Sequence, residues 1–248
     1  MAYRILLMIV GELIQRVQSL YSHGVQSDDS RLSSRHIYNK LKSVRMKLLY
    51  DDLKRKKSVN AINYQTLPCV ELIKANIQEC GNCLPTLGCD LLRSKLELPK
   101  PASDGLTNYI ESVTSVDGTI RYTETQWSAK KYKKGNKYTS RIPDFYLRNN
   151  FLYITWVRGP RILTVTGLFE DPIEVATYPA VCEKKQCLDP YTLEFPIEGR
   201  FIEPLIEIAY RELIEMFSAS AQDLSNNSTE DRTHQPIRRN YENGNEQE

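Results

Sequence analysis

The amino-acid sequence predicts an α+β fold: an N-terminal helical hairpin, a β-rich middle domain, a closing C-terminal helix and a disordered tail. Three observations predict it. Apolar residues recur every three or four positions before residue 60 and again after residue 200, which is the helical period. Between these stretches the pattern turns to alternation and short β-branched runs bounded by Gly, Pro and Asp-Gly, the mark of strands. After residue 217 apolar residues nearly vanish, so 218–248 buries too little surface to fold alone and orders only on binding. Residues 1–60 are expected to pack with 200–217 as one bundle, beside a β-rich domain at 61–199.

The strongest element is the stretch Ser33 to Lys57. Ile37, Leu41, Val44, Leu48, Leu49 and Leu53 form one stripe, with Lys40, Lys42, Arg45, Lys47, Lys54, Arg55, Lys56 and Lys57 on the other faces and at the exit. Serines and aspartates before it offer caps, and the cations of its last turn suit the helix dipole. An earlier helix carries Leu6, Ile9, Val10, Leu13, Ile14, Val17 and Leu20 on its buried side, and Gly24 stops it. Its apolar run is broken by Gly11 and Glu12, lacks a cleavage site and is too short for a bilayer, so neither targeting nor a membrane span is expected.

Past residue 60 the period changes. Tyr64 to Ile73 reads as a strand interrupted by Pro68, which suits an edge. Leu91 to Leu98 is a second strand, and the runs on either side of Asp117-Gly118 form a hairpin. FLYITWV (151–157) and RILTVTGLF (161–169) are expected to pair through Arg158-Gly159-Pro160. Residues 170–199 read as irregular, and the closing helix runs from about Phe201 to Phe217.

Composition bounds the chemistry. The 248 residues carry a formal charge of +2, modest for a protein that lives by wrapping nucleic acid. The charge is uneven: segment 218–248 has six acids against Arg232, Arg238 and Arg239, a net of −3, which leaves +5 elsewhere. Six cysteines in a chain of this length point to a reducing compartment rather than a disulfide framework. Cys80, Cys83 and Cys89 form a compact cluster that Cys182 and Cys187 could complete as a structural zinc site, although the second pair is spaced too widely for a zinc ribbon. Apart from that zinc, no cofactor is expected. Lys130, Lys131, Lys133, Lys134, Lys137 and Arg141 alternate with Tyr132 and Tyr138, the composition of a phosphate contact and equally of a solvated hairpin tip. Catalytic arrangements are scarce. His23, His36 and His234 have no partner at a recognisable spacing, Asp51-Asp52 and Glu170-Asp171 read as solvated or capping carboxylates, and a Gly-rich phosphate loop is missing.

The series DDSRLSSRHIYNKLKSVRMKLLYDDLKRKKSVN, NYQTLPCVELI, ECGNCLPTLGCDLLRSKLELPKP and FYLRNNFLYITWVRGPRILTVTGLFEDP resembles the head-to-tail connector proteins of crAss-like and related tailed bacteriophages of gut Bacteroidales. The likeness runs in order to about residue 217. It implies a virion structural protein without enzymatic activity, assembled in the host bacterial cytoplasm and similar to the ring-shaped tail adaptors of short-tailed phages. It also implies a ring of about twelve copies closed by head-to-tail contacts. The implied partners are the portal protein, further ring and tail proteins, and the DNA in the channel. Arg45, Lys54, Arg55 and the 129–141 loop would then face portal or DNA phosphate, and the tail with Arg232, Arg238 and Arg239 would dock on the portal.

Two rival readings follow from the residues. A zinc-stabilised nucleic-acid-binding regulator predicts stoichiometric zinc and binding that weakens steeply with salt. A nuclease using Asp51, Asp52 or Glu170 with magnesium predicts turnover that alanine at those carboxylates abolishes.

Overall fold

Leu13, Ile14 and Val17, three and four positions apart, draw the first helix, α1 (Val10–Tyr21), against the rest of the chain. The computed structural model describes residues 8–22, 32–55, 59–76, 91–105, 107–126, 137–138, 142–155, 159–182 and 188–233, with side chains as far as residue 217. Helix α2 (Ser34–Lys54) starts where Ser33 accepts a hydrogen bond from the His36 amide at 3.3 Å. Ile37, Leu41, Val44 and Leu49 lie buried on its stripe, with Leu48 and Leu53 half-buried at its margins. A 3-10 turn at Ala61–Asn63 leads into the strands.

These are β1 (Gln65–Lys74), β2 (Leu92–Ser94), β3 (Ile110–Ser115), β4 (Arg121–Glu124), β5 (Asp144–Arg148), β6 (Phe151–Ile154) and β7 (Ile162–Gly167). They close into a barrel in the order β1-β2-β6-β5-β4-β3-β7. All neighbours are antiparallel except β4 and β5. Leu67, Val113, Phe145, Leu152, Leu163 and Val165 fill its interior. A five-residue helix, α3 (Pro172–Ala176), follows, with Asp171 capping it and Pro172 at its start. The closing helix α4 (Ile202–Thr233) packs Leu205, Ile206, Ala209 and Leu213 onto α1 and α2.

Three expectations need correction. Strand β1 is not an edge, because β2 and β7 flank it. It tolerates Pro68 through a bulge: the register shifts between Leu67 and Val70, and Cys69 sits at φ 54°, so the ladder asks no N–H of the proline. Strands β6 and β7 do not form a hairpin. In the barrel β2 and β1 stand between them, and β6 pairs instead with β5 through Asn149 and Asn150 at φ 50° and 59°, the geometry of a two-residue primed turn. The helical backbone of α4 also continues to Thr233, beyond the Phe217 where apolar periodicity ends. Adding residues to a formed helix avoids the nucleation penalty, so a polar stretch can follow an anchored one. The Asp117-Gly118 hairpin of β3 and β4 forms as expected, with Gly118 at φ 72° and Asp117 accepting from Ser115 and Thr119.

A further correction concerns the thiols. Cys69 and Cys182 form a disulfide, with Cα atoms 5.7 Å apart, inside the range a bridge requires. The bulge in β1 and the turn after α3 bring together two residues 113 positions apart, a proximity that cysteine spacing does not reveal.

Candidate interaction surface

Helix α2 is the element where bundle, barrel and solvent meet. Its exposed positions Arg35, Asn39, Ser43, Lys47 and Asp51 recur every fourth residue and make one outward stripe that Lys54 and Arg55 end. Its opposite side is half aliphatic and half a polar junction. Arg45 is fully buried, at 0% exposure. Its Nε donates to the Pro196 carbonyl at 2.9 Å, one terminal nitrogen to Phe169 O at 2.9 Å and the other to Asn63 O at 3.2 Å. The guanidinium thus joins α2 to the turns before β1, after β7 and before α4. Burial pulls it down to about 10, which still leaves it charged at neutral pH. Arg45 therefore cannot meet the portal or DNA phosphate as the sequence suggests, because backbone carbonyls occupy its donors.

Two carboxylates brace the same junction. Asp52 is buried against Arg200 at 2.6 Å. Asp171 accepts from Tyr38 at 2.6 Å, from Lys42 at 2.8 Å and from the Ile173 amide at 3.0 Å. Burial opposes the charge on Asp171, but the bonds from Lys42 and Tyr38 outweigh it and hold the carboxyl below its ordinary range. The contribution of Asp171 is therefore full above the unfolded carboxylate pKa and lost as pH falls through the lower folded value. Asp171→Asn is expected to cost about 1–2 kcal/mol near pH 7, with the gap from wild type narrowing in strong acid. Urea midpoints at pH 7 and pH 3 read both effects.

Between α2 and the segment after β7 lies a groove of ≈ 490 Å³, with Met46 and Tyr50 in its lining and Lys42, Lys47, Lys54 and Glu170 among its polar residues. Asp51 also borders it. Glu170 is paired with Lys100 at 2.8 Å, and among the described residues no group of three His, Cys, Asp or Glu side chains is placed to hold a metal ion.

The remaining sequence-derived positions divide between exposed sites and segments outside the described residues. Lys54 and Arg55 are exposed, as are Lys137 and Tyr138, the latter at 83%. Lys130, Lys131, Lys133, Lys134 and Arg141 lie outside the described residues, as do Cys80, Cys83, Cys89, Cys187, Arg238 and Arg239. Arg232 belongs to the helical backbone of α4. Cys182 is withdrawn from the zinc set by its bond to Cys69. No helix among the described residues is long and apolar enough to cross a membrane. Sequence reasoning missed Tyr38, Asn63 and Arg200, polar partners that become visible only when distant segments meet. Asp171 before Pro172 is legible as a cap.

A family model for phage tail ring protein 2 matches residues 12–232, from the first helix through the barrel to the end of the last. The chain belongs to the phage tail ring protein 2 family. It is also 28% identical over 219 residues to Ring protein 2 of Bacteroides phage crAss001, covering 84% of this chain and 91% of that protein. As a phage tail ring protein it is a structural component of the virion, and membership implies assembly rather than catalysis. For a tail ring protein the informative surfaces are those offered to neighbours.

Proposed function

We propose that copies of this chain close into a ring at the head-to-tail junction, between portal and tail, around the channel through which the genome passes. The observation that carries this reading is the family match from residue 12 to residue 232, which takes in bundle, barrel and extended last helix together. A closed ring needs two different, complementary faces on each subunit, and the two ends of this bundle differ. One end presents the groove beside α2 with its lysines, and the other carries the polar continuation of α4. Arg55, exposed just past the groove on each copy and repeated around a ring, would give a band of positive charge suited to portal carboxylates or to DNA phosphates.

The test is mass photometry of the purified chain alone and mixed with the portal protein of the same phage. A closed assembly of about a dozen copies is expected on the portal. A chain that stays monomeric in both samples would overturn the reading. The regulator alternative loses support, since one of its proposed zinc ligands is held in a disulfide.

A further inference from the structure

The two ends of the helical bundle are related in a way that restricts what the extended last helix can do. Glu212 of α4 pairs with Lys40 at 3.0 Å and with Lys47 at 3.6 Å, and Arg200, just before α4, pairs with Asp52 at 2.6 Å, so α2 and α4 run in opposite directions. In that direction Ser34, the first residue of α2, lies toward the stretch of α4 around Phe217. Helix α1 ends at the same level, where Tyr21 meets Phe217 edge-on with ring centroids 6.2 Å apart. Past this point α4 runs on through Thr233, an arm of roughly 24 Å at 1.5 Å per residue. The groove lies toward the other end of α2, between Lys42 and Lys54. A straight arm that leaves from the Ser34 end cannot return to the groove of its own molecule.

The sequence of the arm and the chemistry of the groove are complementary. Segment 218–233 carries Asp223, Glu230 and Asp231 against Arg232, a net of −2, and the whole of 218–248 has a net of −3. Lys47 and Lys54 are exposed at the groove, Lys47 also lying 3.6 Å from Glu212, and with Lys42 they outnumber the lining carboxylates Asp51 and Glu170 beside the apolar surface of Met46 and Tyr50. Arg55 continues the cations past its end. An amphipathic groove rimmed by cations is a seat for an acidic helix. An arm at one end and its seat at the other is the heterologous arrangement that closes rings.

We infer that residues 218–233 of each subunit dock in the α2 groove of the adjacent subunit, making the arm the lateral clasp of the ring. This rests on the ring reading above and adds the contact that holds neighbours together.

The experiment uses rings assembled on the portal from a mixture of ordinary and nitrogen-15-labelled full-length chain. A carbodiimide joins lysine amines to carboxylates that already touch. Cross-links from Lys47 or Lys54 to Asp223, Glu230 or Asp231 are expected between differently labelled copies. Lys47→Glu with Lys54→Glu is expected to lower the ring fraction at least tenfold, as is Asp223→Lys with Glu230→Lys. All four changes in one chain are expected to restore it, which a simple folding defect would not allow.

The inference is overturned, with the ring reading intact, if rings form from a chain ending at Phe217 at the wild-type concentration. It is also overturned if those cross-links arise only within one copy or run from the arm to the portal. Absence of any ring from wild-type chain and portal would remove both.

Discussion

Arg45→Ala is expected to lower stability by roughly 3–5 kcal/mol, the largest effect of any single substitution in the bundle. The loss has two sources: three backbone carbonyls, of Asn63, Phe169 and Pro196, lose their donor, and the side chain leaves a cavity beneath Phe195. Arg45→Met fills much of the volume but supplies no donors, so it should recover only the cavity part. Arg45→Lys keeps the charge, yet a single ammonium cannot span three carbonyls set around a planar fork, and it should fall between wild type and alanine. Denaturant midpoints at constant slope measure the series. The bridged segments belong to different cores, the bundle on one side and the barrel on the other. Loss of Arg45 should therefore also separate the helical signal from the aromatic signal in the unfolding curve. A single coincident transition displaced by under about 1 kcal/mol would show that other donors replace the guanidinium.

Reduction of the Cys69–Cys182 bond is the second large effect. Its ends are separated by 113 residues, and in the chain-entropy account a closed loop of that size disfavours the unfolded state by roughly 4–5 kcal/mol. Oxidised protein should melt on the order of 10 °C above reduced protein, and Cys69→Ser or Cys182→Ser should melt with the reduced form whether or not reductant is present. Thiol counting by mass spectrometry before and after unfolding identifies the bonded pair. If wild type and both variants melt together without reductant, the bond does not form in solution.

The helices were legible in the sequence because their signal is local. Ile37, Leu41, Val44 and Leu49 recur at the helical period and are buried. The same arithmetic failed at Arg45, which periodicity grouped with the solvated lysines. Its role depends on carbonyls at 63, 169 and 196 that no local window contains. Strand existence was largely legible too, through β-branched runs and Asp117-Gly118. Strand partnership was not, because β6 and β7 are adjacent in sequence while barrel closure places β2 and β1 between them. Asn149-Asn150 was the missed local clue, since two residues with positive φ announce a tight hairpin and thereby β5. The groove stayed invisible for another reason: its residues lie on an ordinary polar helix face and become a concavity only when Glu170 comes to lie across from them.

Closure of the seven strands has a consequence for a protein made in many copies inside one cell. An open sheet would offer each newly made subunit a row of unpaired amides and carbonyls, and strand addition at such a border has no built-in end. Among the described residues every strand already has two partners, so this barrel offers another copy no open border to lengthen. Joining must proceed through side chains and helices, whose angles fix how far each subunit turns from the last. Growth by such contacts has an end, reached when the circle is complete.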